Sequence, residues 1–363
     1  MKLRSLHIEN WRSYEAADVA FGDGLTAIVG DNGNGKTNLL EAIGWLGGIG
    51  SFRGAPDDAL VRLGAESAIL RAVGESLDGR AQLVEAEIPR IGRNRIQVNR
   101  QRLQRMGDLL GVLHVTVFSP DDLELVKGGP TLRRGWVDAA LGSLHTKYAA
   151  LRSDVERVLK QRNALLRSAG GRLDADGEFT LDVWDAKLAE TGSALVRARR
   201  DLLDEMADEL TRAYDAVAQR AAEVTAIYQQ SWDGDLSGAL VGARQLDIRR
   251  GVTTIGPHRD EILLSIGGAP ARTHASQGEQ RSLALSLRLA ADAVVRVVGI
   301  AEPILLLDDV FSELDPGRAG ALLDALPDSQ RLLTTAAGLP PAARPDQILS
   351  VVNGRVFDGG VGL

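Results

Sequence analysis

The chain has 363 residues, of which 44% are hydrophobic, enough to bury a substantial core in one large domain or two smaller ones. It contains no cysteine, which excludes disulfides, cysteine-ligated zinc and thiol catalysis. Its net charge of −7 means that the surface as a whole would repel nucleic acid, so any such binding must come from local basic patches.

The N-terminal segment predicts where the protein resides. Residues 1–8 alternate in polarity like a strand and lack the apolar core of a signal peptide. No uninterrupted apolar run approaches the roughly 18 residues that a membrane-spanning helix needs. We therefore expect a cytoplasmic protein with no membrane partner.

Residues 30–37 read GDNGNGKT, the G-x-x-x-x-G-K-T pattern of a phosphate-binding loop (P-loop). A short β-branched run, residues 26–29, precedes the loop, and helix-forming residues 38–43 follow it, which predicts strand, loop and helix in that order. Lys36 is expected to reach the β- and γ-phosphates of a nucleotide, and the Thr37 hydroxyl to ligate Mg²⁺.

Three loop glycines are expected to turn the backbone so that its N–H groups point inward, beside the positive end of the following helix. They are Gly30, Gly33 and Gly35. Asparagines in and after the loop complete the predicted nucleotide contacts here. These are Asn32, Asn34 and Asn38.

Short strands are predicted for most of the first 130 residues, including 68–73, 83–88 and 112–118. Between them lies a segment with six arginines and no acid: Arg90, Arg93, Arg95, Arg100, Arg102 and Arg105. Such a ribbon could line a DNA duplex through phosphate contacts without reading its sequence. It also fits a solvated edge hairpin whose arginines discourage strand pairing, and both interpretations stay open.

The apolar spacing becomes helical in the middle of the chain. One series, spaced by three and four residues, runs from Leu141 to Val158, and a second runs from Leu181 to Leu202. The turn-forming stretch 168–177 separates them, which predicts two antiparallel helices. They form either an arm of roughly 40 to 60 Å or a compact helical subdomain, which the seam position of Arg162 favours.

Two adjacent acids, Asp308 and Asp309, follow the apolar run 304–307, which reads as a buried strand. Adjacent carboxylates at such a place need a cation. We expect Asp308 to support Mg²⁺ and Asp309 to orient or deprotonate the attacking water. Near the end, strands at 348–352 and 355–357 are predicted to form a hairpin around Asn353-Gly354.

The segment SQGEQR, residues 276–281, precedes a helical run at 282–298. Small residues and donors at a helix start suit an anion site, although alone they equally suit a simple N-cap. The order of P-loop, this segment, tandem acids and then residues 312–315 resembles the ABC-type ATPases. In that superfamily the signature segment of one subunit covers the γ-phosphate bound by another.

The resemblance implies that ATP and Mg²⁺ join two copies of the chain as a homodimer. It places Ser276, Gly278 and Gln280 at the nucleotide of the partner copy. Thr334 and Thr335 stand where transporter ATPases carry a switch histidine, and we assign the catalytic position there to Thr335. No Q-loop glutamine is identifiable, and Ser119 to Asp122 stand in its place.

Three motifs resemble the RecF family, in the branch that includes SMC and Rad50 proteins. They are NWRSY at 10–14, similar to the family's N-F-R-N-Y; the segment 118–130 continuing through Arg133, Arg134 and Asp138; and GPHRD at 256–260. Trp11 and Trp136 stand where Phe or Tyr is usual. The chain lacks the long coiled coils of SMC and Rad50 proteins and the Cys-x-x-Cys hook of Rad50.

The RecF resemblance implies an α/β fold with an ABC-type ATPase head of mixed sheets and helices. The head is expected to combine residues 1–130 and 236–363, with an inserted helical arm at 131–235. The resemblance also places Arg12 close to the nucleotide. His258 and Arg259 fit DNA-facing, nucleotide-sensing or structural roles equally well.

The same resemblance implies a repair protein with weak, DNA-dependent ATP hydrolysis, in which ATP closes two heads around DNA. Its expected substrate is duplex DNA at single-strand gaps or junctions, where RecR, with RecO, and indirectly RecA would be partners in recombinational repair and replication restart. The alternatives are an SMC-like chromosome-organising ATPase and an ATP-gated DNA clamp or scaffold with incidental hydrolysis.

Overall fold

A computed structural model describes residues 1–76, 79–104, 106–109, 111–297, 302–336 and 338–359. Its strands are β1 (Lys2–Trp11), β2 (Tyr14–Ala20), β3 (Leu25–Val29), β4 (Ser67–Glu75), β5 (Ala81–Pro89), β6 (Arg95–Val98), β7 (Gln101–Arg102), β8 (Val115–Phe118), β9 (Val224–Gln229), β10 (Glu261–Ile266), β11 (Ala269–Pro270), β12 (Ile304–Asp308), β13 (Arg331–Thr335), β14 (Gln347–Val352) and β15 (Arg355–Asp358).

The α-helices are α1 (Lys36–Gly44), α2 (Leu123–Lys127), α3 (Pro130–Leu144), α4 (Thr146–Ser168), α5 (Ala175–Ala218), α6 (Leu236–Arg250), α7 (Ala271–His274), α8 (Gln277–Val297) and α9 (Pro316–Ala325). Across the described residues, none of these helices combines the length and the apolar character that crossing a membrane requires.

The chain divides into two compact units. The first contains Met1–Leu123, Arg212–Ala221 and Arg281–Leu363, and the second contains Glu124–Thr211 and Ala222–Gln280. Residues 236–280, which we expected in the ATPase head, thus lie in the second unit. The reason is local, because β10 pairs with β9 over six positions and α6 packs against α4.

A mainly parallel sheet organises the first unit, with strands in the order β15-β14-β3-β13-β12-β8. All of its neighbours are parallel except β14 and β15, the hairpin predicted near the C-terminal end. Every residue of β12 is buried, as expected of a strand covered on both faces. Because the carboxyl ends of parallel strands meet at one edge, β3, β12 and β13 deliver their following residues to the same place.

Alternate residues of β12 enter two different cores. Ile304 and Leu306 pack in a cluster that also contains Leu39 and Ile43 of α1 and residues of the second sheet. Leu305 and Leu307 belong to another cluster, which includes side chains of α8 and α9. This double coverage explains the uninterrupted apolar run before Asp308.

The second sheet of this unit is antiparallel, in the order β2-β1-β4-β5-β6-β7. Burial alternates along β4, as in a sheet with one face on the core and one in solvent. The arginine-rich hairpin of β6 and β7 forms one edge of this sheet, and Arg105 lies outside the described residues.

The second unit corrects one predicted helix. The apolar series from Leu141 to Val158 is not a single helix, because α3 ends at Leu144 and α4 begins at Thr146. His145 between them is extended, with φ −161° and ψ 134°, and its Nδ1 accepts a hydrogen bond from Lys147 N at 3.0 Å. A side-chain cap therefore restarts the helix within an unbroken apolar pattern.

Arg162 is fully buried at the point where α4, α5 and α6 meet. Its Nε donates to Asp185 Oδ1 and its Nη1 to Asp247 Oδ2, each at 2.7 Å. Nη1 also donates to Thr253 Oγ1 at 2.9 Å. The seam arginine is thus the centre of a buried polar network, consistent with the compact subdomain rather than a bare helical pair.

Candidate nucleotide site

The predicted P-loop connects β3 to α1. Gly30, Gly33 and Gly35 have φ values of 152°, 83° and 109°, which side-chain-bearing residues rarely adopt. The glycines therefore sit where the loop needs them, and the first turn of α1 opens beside the loop.

Lys36 lies inside the curve of this loop, with 7% of its surface exposed. Its Nζ donates to the backbone oxygens of Gly30 at 2.7 Å and Asp31 at 3.0 Å. Burial lowers the pKa of Lys36, whereas the charges of Asp309 and Asp308 oppose that change. The ammonium group is held where the phosphates of a P-loop ligand belong.

Asp308 lies beside two hydroxyl groups at the end of β12. Thr37 Oγ1 and Thr334 Oγ1 each donate to Asp308 Oδ1 at 2.8 Å. Burial raises the pKa of Asp308, and the charge of Asp309 adds to that rise. A divalent cation would relieve this penalty, and hydroxyl and carboxylate oxygens are the ligands that Mg²⁺ prefers.

Asp309 has an unusual backbone for a non-glycine residue, with φ 50° and ψ 26°. Its N–H donates to Thr334 Oγ1 at 2.9 Å, which fixes the peptide against β13. Its buried Oδ1 has no hydrogen-bond partner within the described part of the chain. A strained residue with an unused acceptor is suited to binding a water or ligand.

These groups share one cavity of about 490 Å³ in the first unit. Its lining includes Asn32 and Asn38 from the predicted set, together with Ser119, Pro120 and Asp121. Part of the segment that stands in place of a Q-loop therefore lines this cavity. Sequence reasoning missed Phe52 and Arg53, which line the same cavity from the loop after α1.

The structure corrects the position assigned to Thr335. The Thr335 hydroxyl donates to Gly338 O at 2.8 Å, whereas Thr334 lines the cavity and holds both acids. Alternate side chains of a strand point to opposite faces, and the β12–β13 register pairs Asp308 with Thr334. Only the strand register, which the sequence does not reveal, distinguishes the two threonines.

Arg12 forms an ion pair with a residue of α1 in this structure. Its Nε and Nη2 donate to the two carboxylate oxygens of Glu41, both at 2.8 Å, and Glu41 is fully buried. Arg12 lines a neighbouring cavity of about 560 Å³, which Asn38 also lines. The guanidinium is thus near the P-loop, but it anchors α1 in this conformation.

Residues 276–280 of the signature-like segment lie in the second unit, at the start of α8, and Arg281 belongs to the first. Ser276 is exposed and forms a capping box, in which its Oγ accepts from Glu279 N at 3.3 Å and its N–H donates to Glu279 Oε2 at 2.8 Å. Gly278 is partly exposed on the same turn. Ser276 and Gly278 are accessible to a ligand supplied from outside this unit.

Gln280 differs from the expected nucleotide contact. It is 5% exposed, and its Nε2 donates to the backbone oxygens of Ala271 and Arg272 at 3.0 and 3.1 Å. The amide therefore secures the short helix α7 against the start of α8.

The GPHRD segment is held firmly within the second unit. His258 Nε2 lies 3.2 Å from Thr253 O, and burial lowers the pKa of His258 to about 4, so that the ring is neutral near pH 7. Asp260 accepts hydrogen bonds from Tyr228 Oη and Ser231 N. These contacts favour a structural role for His258, whereas Arg259 is exposed.

The arginines of residues 90–102 differ in their availability for a ligand. Arg90 donates to the backbone oxygens of Val61 and Arg62 at 3.2 and 2.8 Å, which makes it a structural residue. Arg93 and Arg102 are exposed, and Arg95 forms a solvent-exposed ion pair with Glu87.

Comparison with known proteins places the chain in a family. A family model described as the RecF/RecN/SMC N-terminal domain matches residues 2–336. The chain is 42% identical over 354 residues to the DNA replication and repair protein RecF of Streptomyces avermitilis, covering 93% of this chain and 94% of that one. The corresponding protein of Frankia alni is 43% identical over 355 residues, with 93% of each chain covered.

Solved structures show the same fold. One described as the recombination mediator protein RecF-ATP in the RecFOR pathway superposes with a TM-score of 0.91 at 28% identity, covering 99% of this chain and 98% of that one. An SMC head bound to the C-terminal winged-helix domain of ScpA gives a TM-score of 0.60 at 18% identity, covering 100% and 98% of the two chains. The fold is thus the α/β head of ABC-type ATPases, and the chain belongs to the RecF family.

Proposed function

We propose that the first unit binds ATP with Mg²⁺ in the cavity of about 490 Å³. The observation that carries this proposal is the convergence of Lys36, Thr37 and Asp308 on that single cavity. Thr37 and Asp308 would hold the metal ion, which when bound would neutralise phosphate charge. The solved RecF-ATP relative supports ATP as the nucleotide.

We further propose slow hydrolysis of ATP to ADP and phosphate. Asp309 has a buried, unused carboxylate oxygen next to Asp308, which suits it to orient the attacking water and accept its proton. Lys36 and Arg53 line the same cavity and would supply positive charge to the negative charge that develops on the transferred phosphoryl group.

The complete site is proposed to need a second copy of the chain. Ser276 is exposed and Gly278 partly exposed at the start of α8, whose N–H groups and helix dipole favour a bound anion. A homodimer closed by ATP would place this turn over the γ-phosphate of the partner copy. Gln280 is not included, because its amide is already engaged.

The proposed role of this cycle is DNA repair, with ATP as a timer for residence on duplex DNA at single-strand gaps or junctions. Arg93, Arg95 and Arg102 are the proposed phosphate contacts, since their side chains are exposed along one sheet edge. RecR, with RecO, and indirectly RecA are the proposed partners, in line with the RecFOR context of the solved relative.

ATP hydrolysis measured with and without gapped DNA tests this function. We expect slow hydrolysis that gapped duplex stimulates, and its loss in the Lys36→Met variant. An equal rate of hydrolysis with and without gapped DNA would point instead to a clamp or scaffold with incidental turnover. Failure of the wild-type chain to bind ATP would refute the proposal itself.

A further inference from the structure

The turn that closes the β14–β15 hairpin, Asn353-Gly354, touches the P-loop directly. Gly354 N donates to Asn34 O at 3.1 Å, and Asn353 N donates to Asn34 Oδ1 at 3.3 Å. Both donors are backbone groups of this closing turn. Asn34, which we had expected to contact the nucleotide, thus directs both of its oxygens to the hairpin.

The hairpin also approaches the other end of the loop. A Cβ atom added at Gly30 would lie 2.3 Å from Val351 O, so this strand of the hairpin allows only glycine there. β14 pairs in parallel with β3, and Ser350 is opposite Val29, the residue before the loop. The hairpin therefore contacts the P-loop at its first glycine and again at Asn34.

A second turn, Arg12-Ser13, supports the loop from the β1–β2 hairpin. Tyr14 Oη, which is fully buried, donates to Gly35 O at 3.0 Å. A Cβ at Gly35 would lie 2.7 Å from Ser13 Oγ, and a Cβ at Gly354 would lie 2.6 Å from Ser13 O. The P-loop is thus held between two turns that also touch each other.

The closing turn can present its N–H groups only in one backbone conformation. Asn353 and Gly354 have φ values of 49° and 71°, as in a type I′ hairpin turn, for which Asn-Gly is the favoured pair. Asn353 is exposed, and it donates to Asn34 through its backbone N–H. Its side chain therefore matters mainly through the φ value that it tolerates.

We propose that the closing turn is a positioning element of the nucleotide site, which holds the P-loop in its binding conformation before ATP arrives. This inference rests on the proposed ATP site. Holding a loop in its bound conformation lowers the entropy lost on binding, so it increases affinity. It adds no group to the reaction, so it leaves the chemical step unchanged.

The test compares Asn353→Val with Asn353→Gly in the full-length chain. A β-branched residue disfavours positive φ, whereas glycine accepts it, and both variants keep the backbone N–H. We expect Asn353→Val to raise the KM and the Kd for Mg·ATP by roughly tenfold, equivalent to about 1.4 kcal/mol. The kcat should stay near the wild-type value, and Asn353→Gly should restore affinity.

A double-mutant cycle with Asn34→Ala separates positioning from direct ligation. If Asn34 acts through the closing turn, its effect on the Kd for Mg·ATP should largely disappear in the Asn353→Val background. Additive effects would overturn the proposal, as would an unchanged Kd in Asn353→Val. A fall in kcat that matches a loss of folded protein in thermal unfolding would also overturn it. Tight ATP binding by wild type, abolished in Lys36→Met, upholds the proposed function in each of these cases.

Discussion

Asp308 and Asp309 are adjacent in sequence but have different surroundings. Asp308 accepts hydrogen bonds from two threonine hydroxyls, whereas Asp309 has a buried oxygen without a partner in the described structure. The left-handed backbone of Asp309 redirects the chain immediately after the strand. One carboxylate is therefore arranged to hold a cation and the other to receive a water.

Replacing each acid by its amide should separate these roles. Asp309→Asn should keep Mg·ATP binding and prolong the closed dimer, while turnover falls by about 10²-fold or more because the base is lost. Asp308→Asn should instead weaken the dependence of ATP binding on Mg²⁺. Nucleotide titrations at several Mg²⁺ concentrations and single-turnover hydrolysis measure both effects. An equal loss of nucleotide binding in the two variants would contradict the assignment.

The raised pKa of Asp308 predicts a dependence of stability on pH. Burial disfavours the ionised form in the folded chain, so without Mg²⁺ the free energy of unfolding should fall as pH rises above the unfolded pKa of about 3.9. This loss of stability should be complete once the pH exceeds the raised pKa of Asp308 in the folded chain. Asp308→Asn should reduce this fall, whereas Asp31→Asn, in the exposed part of the loop, should not.

Urea unfolding at pH 4 and pH 7 in the presence of a chelator measures that difference. Added Mg²⁺ should restore stability at pH 7 in the wild type and not in Asp308→Asn. The same pH dependence in wild type and Asp308→Asn would show that the folded chain does not penalise this carboxylate.

At the scale of elements, short sequence patterns predicted the helices, strands and turns that depend on neighbouring residues alone. The P-loop, the buried strand before the acids and the closing hairpin follow from glycine positions, apolar runs and an Asn-Gly pair. The choice of Thr335 over Thr334 was wrong because it depends on strand register, and Arg53 was missed because its place depends on the path of a loop. The break at His145 was hidden because the apolar spacing continues through it.

Arg162 illustrates an interaction that links three helices. Its partners Asp185 and Asp247 are far away in sequence, so the sequence predicts only that Arg162 lies at a helical seam. Removing a buried partner leaves uncompensated charges, which costs far more than removing an exposed one. The second unit should therefore depend strongly on this side chain.

Arg162→Met should lower the free energy of unfolding by about 3–5 kcal/mol, because Asp247 would stay buried without its cation and Asp185 would keep only Arg244. Arg157→Met is the matched control on the same helix, since Arg157 pairs with Asp154 at the surface, where such pairs contribute about 0–1 kcal/mol. Urea unfolding of both variants gives the comparison. Similar losses in the two would show that the buried network contributes little to stability.

At the scale of the whole molecule, the proposed composite site requires two copies of the chain. The P-loop and acids lie in one unit and the signature-like turn in the other, where Ser276 is exposed. Ser276→Arg should still bind ATP but fail to dimerise, because the long side chain would occupy the space of the partner's γ-phosphate. Lys36→Met should lose both properties. Sedimentation with ATP decides the matter, and an unaltered Ser276→Arg dimer would refute the composite site.

The last prediction concerns how an acidic protein binds DNA. With a net charge of −7, the chain needs a local basic strip, and a dimer would present two copies of the β6–β7 hairpin to one duplex. Each phosphate contact contributes roughly −0.9 to the slope of log affinity against log salt. Replacing Arg93, Arg95 and Arg102 by Ala should therefore make that slope shallower by several units per dimer, while ATP-driven dimerisation survives.

The matched control removes the same charge from α4, through alanine at the exposed positions Arg152, Arg157 and Lys160. Its salt slope should equal that of the wild type, because the change in net charge is identical while the hairpin is intact. Salt titrations with ATP present compare the three proteins. If the α4 variant flattens the slope and the hairpin variant does not, DNA lies along the helices, and the arginines of β6 and β7 serve only to keep a sheet edge from pairing.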